Sequence, residues 1–495
     1  MLSAASVLLR SETEKDAELL VLRHEKSGLR RQLAGVNHRT RPERPYIHLT
    51  KPGQFRSVVQ LLPTTVTGMR ALWVPASQLG AVMPVIPVVE QLASDGHDVT
   101  AIACGALELQ RSSVAAAVRF ISFPTTVKHT GREEESTASS RLEHIETQDE
   151  KERRIFDRTV QEIADITAAV EMVRPDVILG DPFVMGTTLA GEILGVPVVS
   201  LIHHLFDEGA SHYWPHQHVW MRRNPSSPEG FVEWWNELRG KLDLPPESRP
   251  ATEAHWWPHS RDASILMTHP VVRYRARPLP AYARVAMPQM WEPTDTSDVL
   301  ASIVDAMRGS QRTQVLVTTS SLWQPDNGFV WSAIQACEEL GWDATTTIPS
   351  VRDPVDRVGA AHSFLPHSRL LAAADVVVTG AGLGTALRAV ESRTPLLFCP
   401  SRWTNPKYRK RDTTHIAEVL TEMGVAERVF QEDMTPEVMR TALERLVSRR
   451  GNMRRRFAMF DSALRASLKS GAILDIRGLC DVIRQVAERG RVPSG

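Results

Sequence analysis

From Met69 onward, short apolar runs alternate with longer segments whose apolar residues recur at helical spacing. ALWVPA (71–76) reads as a strand, MPVIPVVEQLASDG (83–96) as an amphipathic helix stopped at Gly96, and HDVTAIA (97–103) as the next strand. VRFISFP (118–124), a charged helical stretch to about Val173, PDVILGDPF (175–183), TTLAGEILG (187–195) and VPVVSLIHH (196–204) continue the pattern. The rhythm breaks over 204–260, where six tryptophans sit among histidines and prolines. A second alternating run starts at QVLVTTSS (314–321) and passes through AIQACEELG, DATTTIP, HSRLLAAA, DVVVTGAG and GTALRAVESR to TPLLFCP (394–400). Such β-α-β alternation predicts parallel sheets wrapped by helices. Two α/β halves are expected, joined around 285–312, with a helical tail (434–490) able to pack back across both.

Composition narrows the function classes. A chain of 495 residues, 42% apolar and 23% charged, is long enough for two to four domains. Its 58 basic and 58 acidic residues cancel, so no global field favours nucleic acid or an anionic membrane. No apolar run reaches the roughly 18 residues of a membrane span, and the N-terminus lacks a secretory h-region. Stable membrane insertion and a nucleic-acid partner are therefore not expected. Cys104, Cys337, Cys399 and Cys480 lie far apart in mostly apolar surroundings, the pattern of reduced thiols in a cytoplasmic protein.

The first segment differs from the rest. Residues 12–45 are charge-dense, with Leu19, Leu20, Leu22, Leu29 and Leu33 at roughly helical spacing before a basic tail. A surface helix or coiled-coil arm fits that pattern. LLVLRHEKSGLRRQL (19–33) is also similar to the opening of insertion-sequence transposases and integrases, although none of their catalytic acidic framework follows. Residues 1–68 are expected to be a poorly ordered or helical extension without chemistry, either a foreign remnant or the product of a mis-set start, because MRALWVPAS, opening at Met69, reads as a domain's first strand.

VVVTGAGLGT (376–385) places Gly380, Gly382 and Gly384 after a strand. A dinucleotide fingerprint needs G-x-G-x-x-G and, about 20 residues on, an acidic residue for the ribose. Here the sixth position is Thr385 and the next strand, LLFCP, ends without a carboxylate. A nicotinamide site is disfavoured. The helix opening near Gly384 still offers free N–H groups and a positive dipole end to a phosphate. A plain strand-to-helix corner is the simpler alternative.

HSFLPHSRLLAAADVVVTGAGLGTALRAVESRTPLLFCP (362–400), followed by RDTTHIAEVLTEMGVAERV (411–429), resembles the donor-binding half of UDP-glycosyltransferase-like enzymes, notably bacterial ones that decorate natural products. MRALWVPASQLGAVMPVIPVVEQLASDGHDVTAIA (69–103) resembles the family's opening strand, Gly-His-x-x-Pro loop and helix, and PDVILGDPF and LGVPVVSL resemble its later strands. The resemblance spans nearly all of 69–440. It implies the α/β GT-B fold: two Rossmann-like doubly wound domains facing a central cleft. The implied acceptor-binding domain is 69–290, the linker 291–312, the nucleotide-sugar domain 313–470 and a C-terminal helix 471–495.

The implied activity moves a sugar from a nucleotide-diphosphate donor, a UDP- or dTDP-sugar, to a small lipophilic hydroxylated acceptor, as a hexosyltransferase needing no cofactor. Under the resemblance, Phe364, Leu365, Pro366 and His367 border the base. Gly380, Gly382, Gly384, Thr385 and Ala386 face the diphosphate with Ser320 and Ser321, and Asp412 contacts sugar hydroxyls.

Several positions depart from the family pattern. Gly380 replaces the diphosphate-binding histidine, Ala381 a glycine, Arg388 a glutamate and Thr413 a glutamine, and a basic run (Lys407, Arg409, Lys410, Arg411) precedes Asp412. The catalytic-base position falls at Ala81, which cannot accept a proton, while the aspartate that would orient the base is kept as Asp181. Three alternatives stay open: a substitute base, namely Asp181, His203 or His204; a reaction carried by diphosphate stabilisation; or a catalytically impaired homologue that binds sugar nucleotides or assists a partner enzyme. His216 and His218 lack two further ligands for zinc, so no metal is expected. Tyr213, Trp214 and Trp220 fit an acceptor-pocket wall as well as plain packing. Residues 131–154 read as a solvated helical or mobile face. A homodimer is left open.

Overall fold

The computed structural model describes residues 68–76, 79–103, 114, 117–123, 148–203, 228–250, 253, 256–269, 272, 279–292, 298–318, 328–347, 365–380, 382–400 and 412–491. The extension 1–67 lies outside them, and so does most of 131–154.

The first alternating run folds as the apolar pattern dictates. Strand β1 (Arg70–Val74) is followed by the short α1 (Leu79–Val82), α2 (Ile86–Ser94), β2 (Asp98–Ile102), β3 (Val118–Ile121) and α3 (Gln148–Val173). Next come β4 (Val177–Gly180), α4 (Gly186–Leu194), β5 (Val198–Ile202), α5 (Pro228–Lys241), β6 (Ala263–Met267) and β7 (Ala283–Ala286). The seven strands are all parallel, in the order β3-β2-β1-β4-β5-β6-β7. Every residue of β4, β5 and β6 is buried, because helices cover both faces of a parallel sheet. Trp73, Val99, Leu179 and Leu201 belong to the core on one face; Leu72, Ile178 and Ile166 of α3 belong to the other.

The second run begins with α6 (Asp298–Gly309), inside the segment read as linker, whose Leu300, Val304 and Met307 join the second core. It continues with β8 (Gln314–Thr318), α7 (Gly328–Leu340), β9 (Asp343–Thr346), α8 (His367–Ala373), β10 (Val376–Thr379), α9 (Leu383–Ser392), β11 (Leu396–Phe398), α10 (Asp412–Glu422) and β12 (Ala426–Arg428). These five strands are parallel too, in the order β12-β11-β10-β8-β9.

The tail links both sheets. Helix α11 (Pro436–Lys469) opens on Thr435, whose side chain accepts the Val438 N–H at 3.2 Å, with proline in the first turn where no N–H is missed. Its Met439, Leu443, Leu446, Met453 and Phe457 belong to the second core. The chain then crosses: Leu474 N–H bonds to Val285 O and Met287 N–H to Leu474 O, both at 2.8 Å, alongside β7. Helix α12 (Ile476–Arg491) buries Leu479, Cys480, Ile483, Val486 and Ala487 in the first core with Val88 and Val89 of α2.

In open parallel sheets, ligands gather at the carboxyl ends of strands where the order reverses. The first sheet reverses between β1 and β4, the second between β8 and β10.

Candidate active site

At the first reversal, Asp181 directly follows β4. Its N–H reaches Val74 O of β1 at 3.3 Å, its Oδ1 accepts the Phe183 N–H at 2.8 Å, and its carbonyl accepts the Val184 N–H at 2.9 Å. The tight turn into α4 fits only because residue 180 is glycine: a Cβ there would run into the Thr187 side chain. The other oxygen, Oδ2, lies 3.2 Å from Nδ1 of His203, a close approach of two side chains only 3% and 9% exposed. His203 follows β5, which pairs with β4, so strand adjacency brings the two together. The Phe183 ring packs against the imidazole at 5.7 Å between centroids. With its proton on Nδ1, towards the carboxylate, the ring would present Nε2 as a proton acceptor.

Ala81, in α1, is 2% exposed and sits in an apolar cluster with Val74, Ala76 and Val184. No proton acceptor stands at that position. His204 lies outside the described residues, as do Tyr213, Trp214 and Trp220. The other four tryptophans of the middle segment are packing residues: Trp234, Trp235 and Trp257 form a small core with Met185 and Leu189, and Trp256 packs with Leu266 and Tyr282.

At the second reversal, Gly380 directly follows β10 and is buried. Gly382 occupies the N-cap position of α9 with extended φ −64° and ψ 135°, no side chain caps the helix, and its first turn holds no acidic residue. Gly384 is exposed and Thr385 half-buried. Ala386 N–H bonds back to Gly382 O at 3.0 Å, so the N–H groups just before it have no acceptor within the helix. An added Cβ at Gly382 would meet nothing within 4 Å.

Pro366 occupies the N-cap position of α8 without capping it, and His367 begins the helix. The His367 ring points inward, its Nε2 3.4 Å from Thr318 Oγ1 at the end of β8 and 3.2 Å from Thr347 Oγ1, with the two hydroxyls 3.1 Å apart. Burial pulls its pKa down to about 4, so the ring is neutral at physiological pH. Ser320, Ser321 and Phe364 lie outside the described residues, and Asp412 starts α10 with its side chain outside them.

Sequence reading missed Glu292. Its carboxylate accepts the N–H of His367 at 2.6 Å and of Ser368 at 3.2 Å, and pairs with Arg388 Nε at 2.8 Å. Arg388 is buried and also donates to Trp291 O at 2.5 Å. Partners 75 and 96 positions away leave no local signal. Among the described residues no group of three or more His, Cys, Asp or Glu side chains is placed to hold a metal ion, and no helix is long and apolar enough to cross a membrane.

No protein-family model and no curated protein sequence matches the chain. Solved structures do resemble it. The glycotransferase of kitacinnamycin shares 16% identity at TM-score 0.63, covering 85% of this chain and 99% of its own. CalG4, the calicheamicin glycosyltransferase, shares 18% at 0.59, over 86% of this chain and all of its own. The glycosyltransferase VinC, solved in complex with dTDP, shares 16% at 0.59, over 85% and 100%. All three are glycosyltransferases by description, and the chain has their GT-B fold, α/β with two Rossmann-like domains. They lend no support to the transposase likeness of residues 12–45.

Proposed function

We propose that the protein is a glycosyltransferase that moves a sugar from a UDP- or dTDP-sugar to a small lipophilic hydroxylated acceptor, with His203 as base and Asp181 as its orienting partner. The Asp181–His203 contact carries this reading, because it supplies the proton acceptor that Ala81 does not. In the proposed step, His203 Nε2 takes the acceptor hydroxyl proton while that oxygen forms a bond to the sugar's anomeric carbon. The bond from that carbon to the diphosphate breaks, and its electron pair leaves on the diphosphate oxygen. The first-turn N–H groups of α9 and the helix dipole stabilise that charge at the Gly380–Thr385 turn. Pro366 and His367 are assigned to the nucleoside end, with Ser320, Ser321, Phe364 and Asp412 completing the donor site. The complex of VinC with dTDP makes dTDP the first nucleotide to test.

Placement in the cytoplasm rests on Cys337, Cys399 and Cys480, all buried free thiols; burial pushes Cys337 and Cys480 up to about 12, well away from the reactive thiolate. Buried Ala81 favours a second reading, a sugar-nucleotide-binding homologue without turnover. Calorimetry with UDP, dTDP and NAD, followed by donor-hydrolysis and acceptor-screening assays, separates the two. Nucleoside-diphosphate binding with sugar release is expected. Binding without any release sinks the transferase reading, and binding of NAD alone sinks both.

A further inference from the structure

The segment that joins the two sheets reaches the second one through Met290, which packs against its core, and through the carboxylate of Glu292. Helix α8 has no side-chain cap of its own, since Pro366 occupies its N-cap position. Glu292 supplies the cap from outside. Its Oε1 accepts the His367 N–H at 2.6 Å, both oxygens accept the Ser368 N–H at 3.2 Å, and Oε2 accepts the Ser368 hydroxyl at 2.5 Å. Oε1 also pairs with Arg388 Nε at 2.8 Å, and Arg388 turns back to donate to Trp291 O at 2.5 Å. The acid and base side chains are only 13% and 9% exposed. Water therefore screens the pair little. Burial lowers the pKa of Arg388 and the charge of Glu292 raises it, so this guanidinium depends on its partner.

The two helices tied by Glu292 are those that flank the Gly-rich turn. Helix α8 carries His367, whose ring reaches Thr318 at the end of β8. Helix α9 carries Arg388 and starts from the turn that follows β10. Both sides of the β8/β10 reversal are therefore held by one residue that belongs to neither. With its oxygens already engaged by four donor groups, Glu292 is suited to holding geometry rather than contacting ligand.

We infer that Glu292 is a positioning residue for the nucleoside-diphosphate site: through α8 and Arg388 it sets the spacing of that site, and it makes nucleotide affinity depend on the segment between the sheets. The inference rests on the proposed donor role of the Gly380–Thr385 turn. A cap that only stabilises the fold would lower Tm and leave affinity alone.

The test compares the full-length wild type with Glu292→Ala and Glu292→Gln, by dTDP and UDP calorimetry well below Tm and by steady-state kinetics. Glu292→Ala should raise the dTDP Kd and the donor KM by roughly tenfold. Its kcat and acceptor KM should change less than about twofold, because Asp181 and His203 lie on the other sheet. Glu292→Gln keeps an acceptor oxygen for the helix cap but not the charge on Arg388, so it should fall between, and it serves as the test if Glu292→Ala does not fold. Folded variants that bind dTDP as tightly as wild type overturn the inference and leave the proposed function standing. A wild type that binds neither nucleotide overturns both.

Discussion

The two sheet reversals build their candidate chemistry in opposite ways. The first relies on side chains: Asp181 and His203 each follow a buried strand, and the pairing of β4 with β5 places them 3.2 Å apart. The second relies on backbone: glycines open α9, and the polar side chains around it are engaged with one another. A proton acceptor must be a titratable group at a fixed point, whereas an anion can be held by N–H groups that any residue provides. The same contrast governs the glycines. Gly180 is demanded by packing, since a Cβ would strike Thr187, while Gly382 has open space where its Cβ would be.

The sharpest way to break this contrast is to remove the imidazole. His203→Ala should lower kcat by about 10²–10⁴-fold, the usual worth of a positioned general base, while dTDP Kd stays within about twofold. Matched activity in mutant and wild type would remove His203 from the mechanism and return the base to His204, or to no residue at all. Asp181→Asn is the companion variant, because it leaves the turn's shape but withdraws the charge that orients the ring.

Packing at the first reversal is tested next. Gly180→Ala should cost about 1–3 kcal/mol of stability, as overpacking does in a rigid β-branched environment. Thr187→Ser in the same chain removes the struck methyl group and should restore most of that loss in a denaturant melt. A Gly180→Ala protein as stable as wild type would show that the turn relaxes easily, and the fixed placement of Asp181 would lose its physical basis.

What sequence revealed follows the same division. Strands such as VILG, VVSLI and VVVT were legible because parallel strands buried on both faces carry continuous apolar runs. The end of α3 at Val173 was legible from its charged periodic stretch. Asp181 and His203 were legible as candidates because each stands at the end of such a run; their contact was not, since it depends on which strands pair. Glu292 was invisible. It sits in a segment read as linker, and its meaning comes from partners across the fold. The helix Asp298–Gly309 escaped for a related reason: its amphipathic stripe of Leu300, Val304 and Met307 is short and follows a proline-containing stretch that reads as a joint.

The mildest substitution discriminates most finely at the second reversal. Gly382 has φ −64°, which any residue adopts, and a Cβ there contacts nothing, so the fold does not require glycine. Gly382→Ala should therefore change stability by less than about 0.5 kcal/mol, the small penalty of alanine for glycine at an N-cap offset by reduced chain entropy in the unfolded state. If the diphosphate lies against the backbone of this turn, the new methyl group occupies space the ligand needs, and dTDP Kd should rise about tenfold, or about 1.4 kcal/mol. An unchanged Tm with weakened binding assigns the glycine to the ligand. Unchanged binding moves the diphosphate off this turn, and the glycines become a corner between β10 and α9 and nothing more.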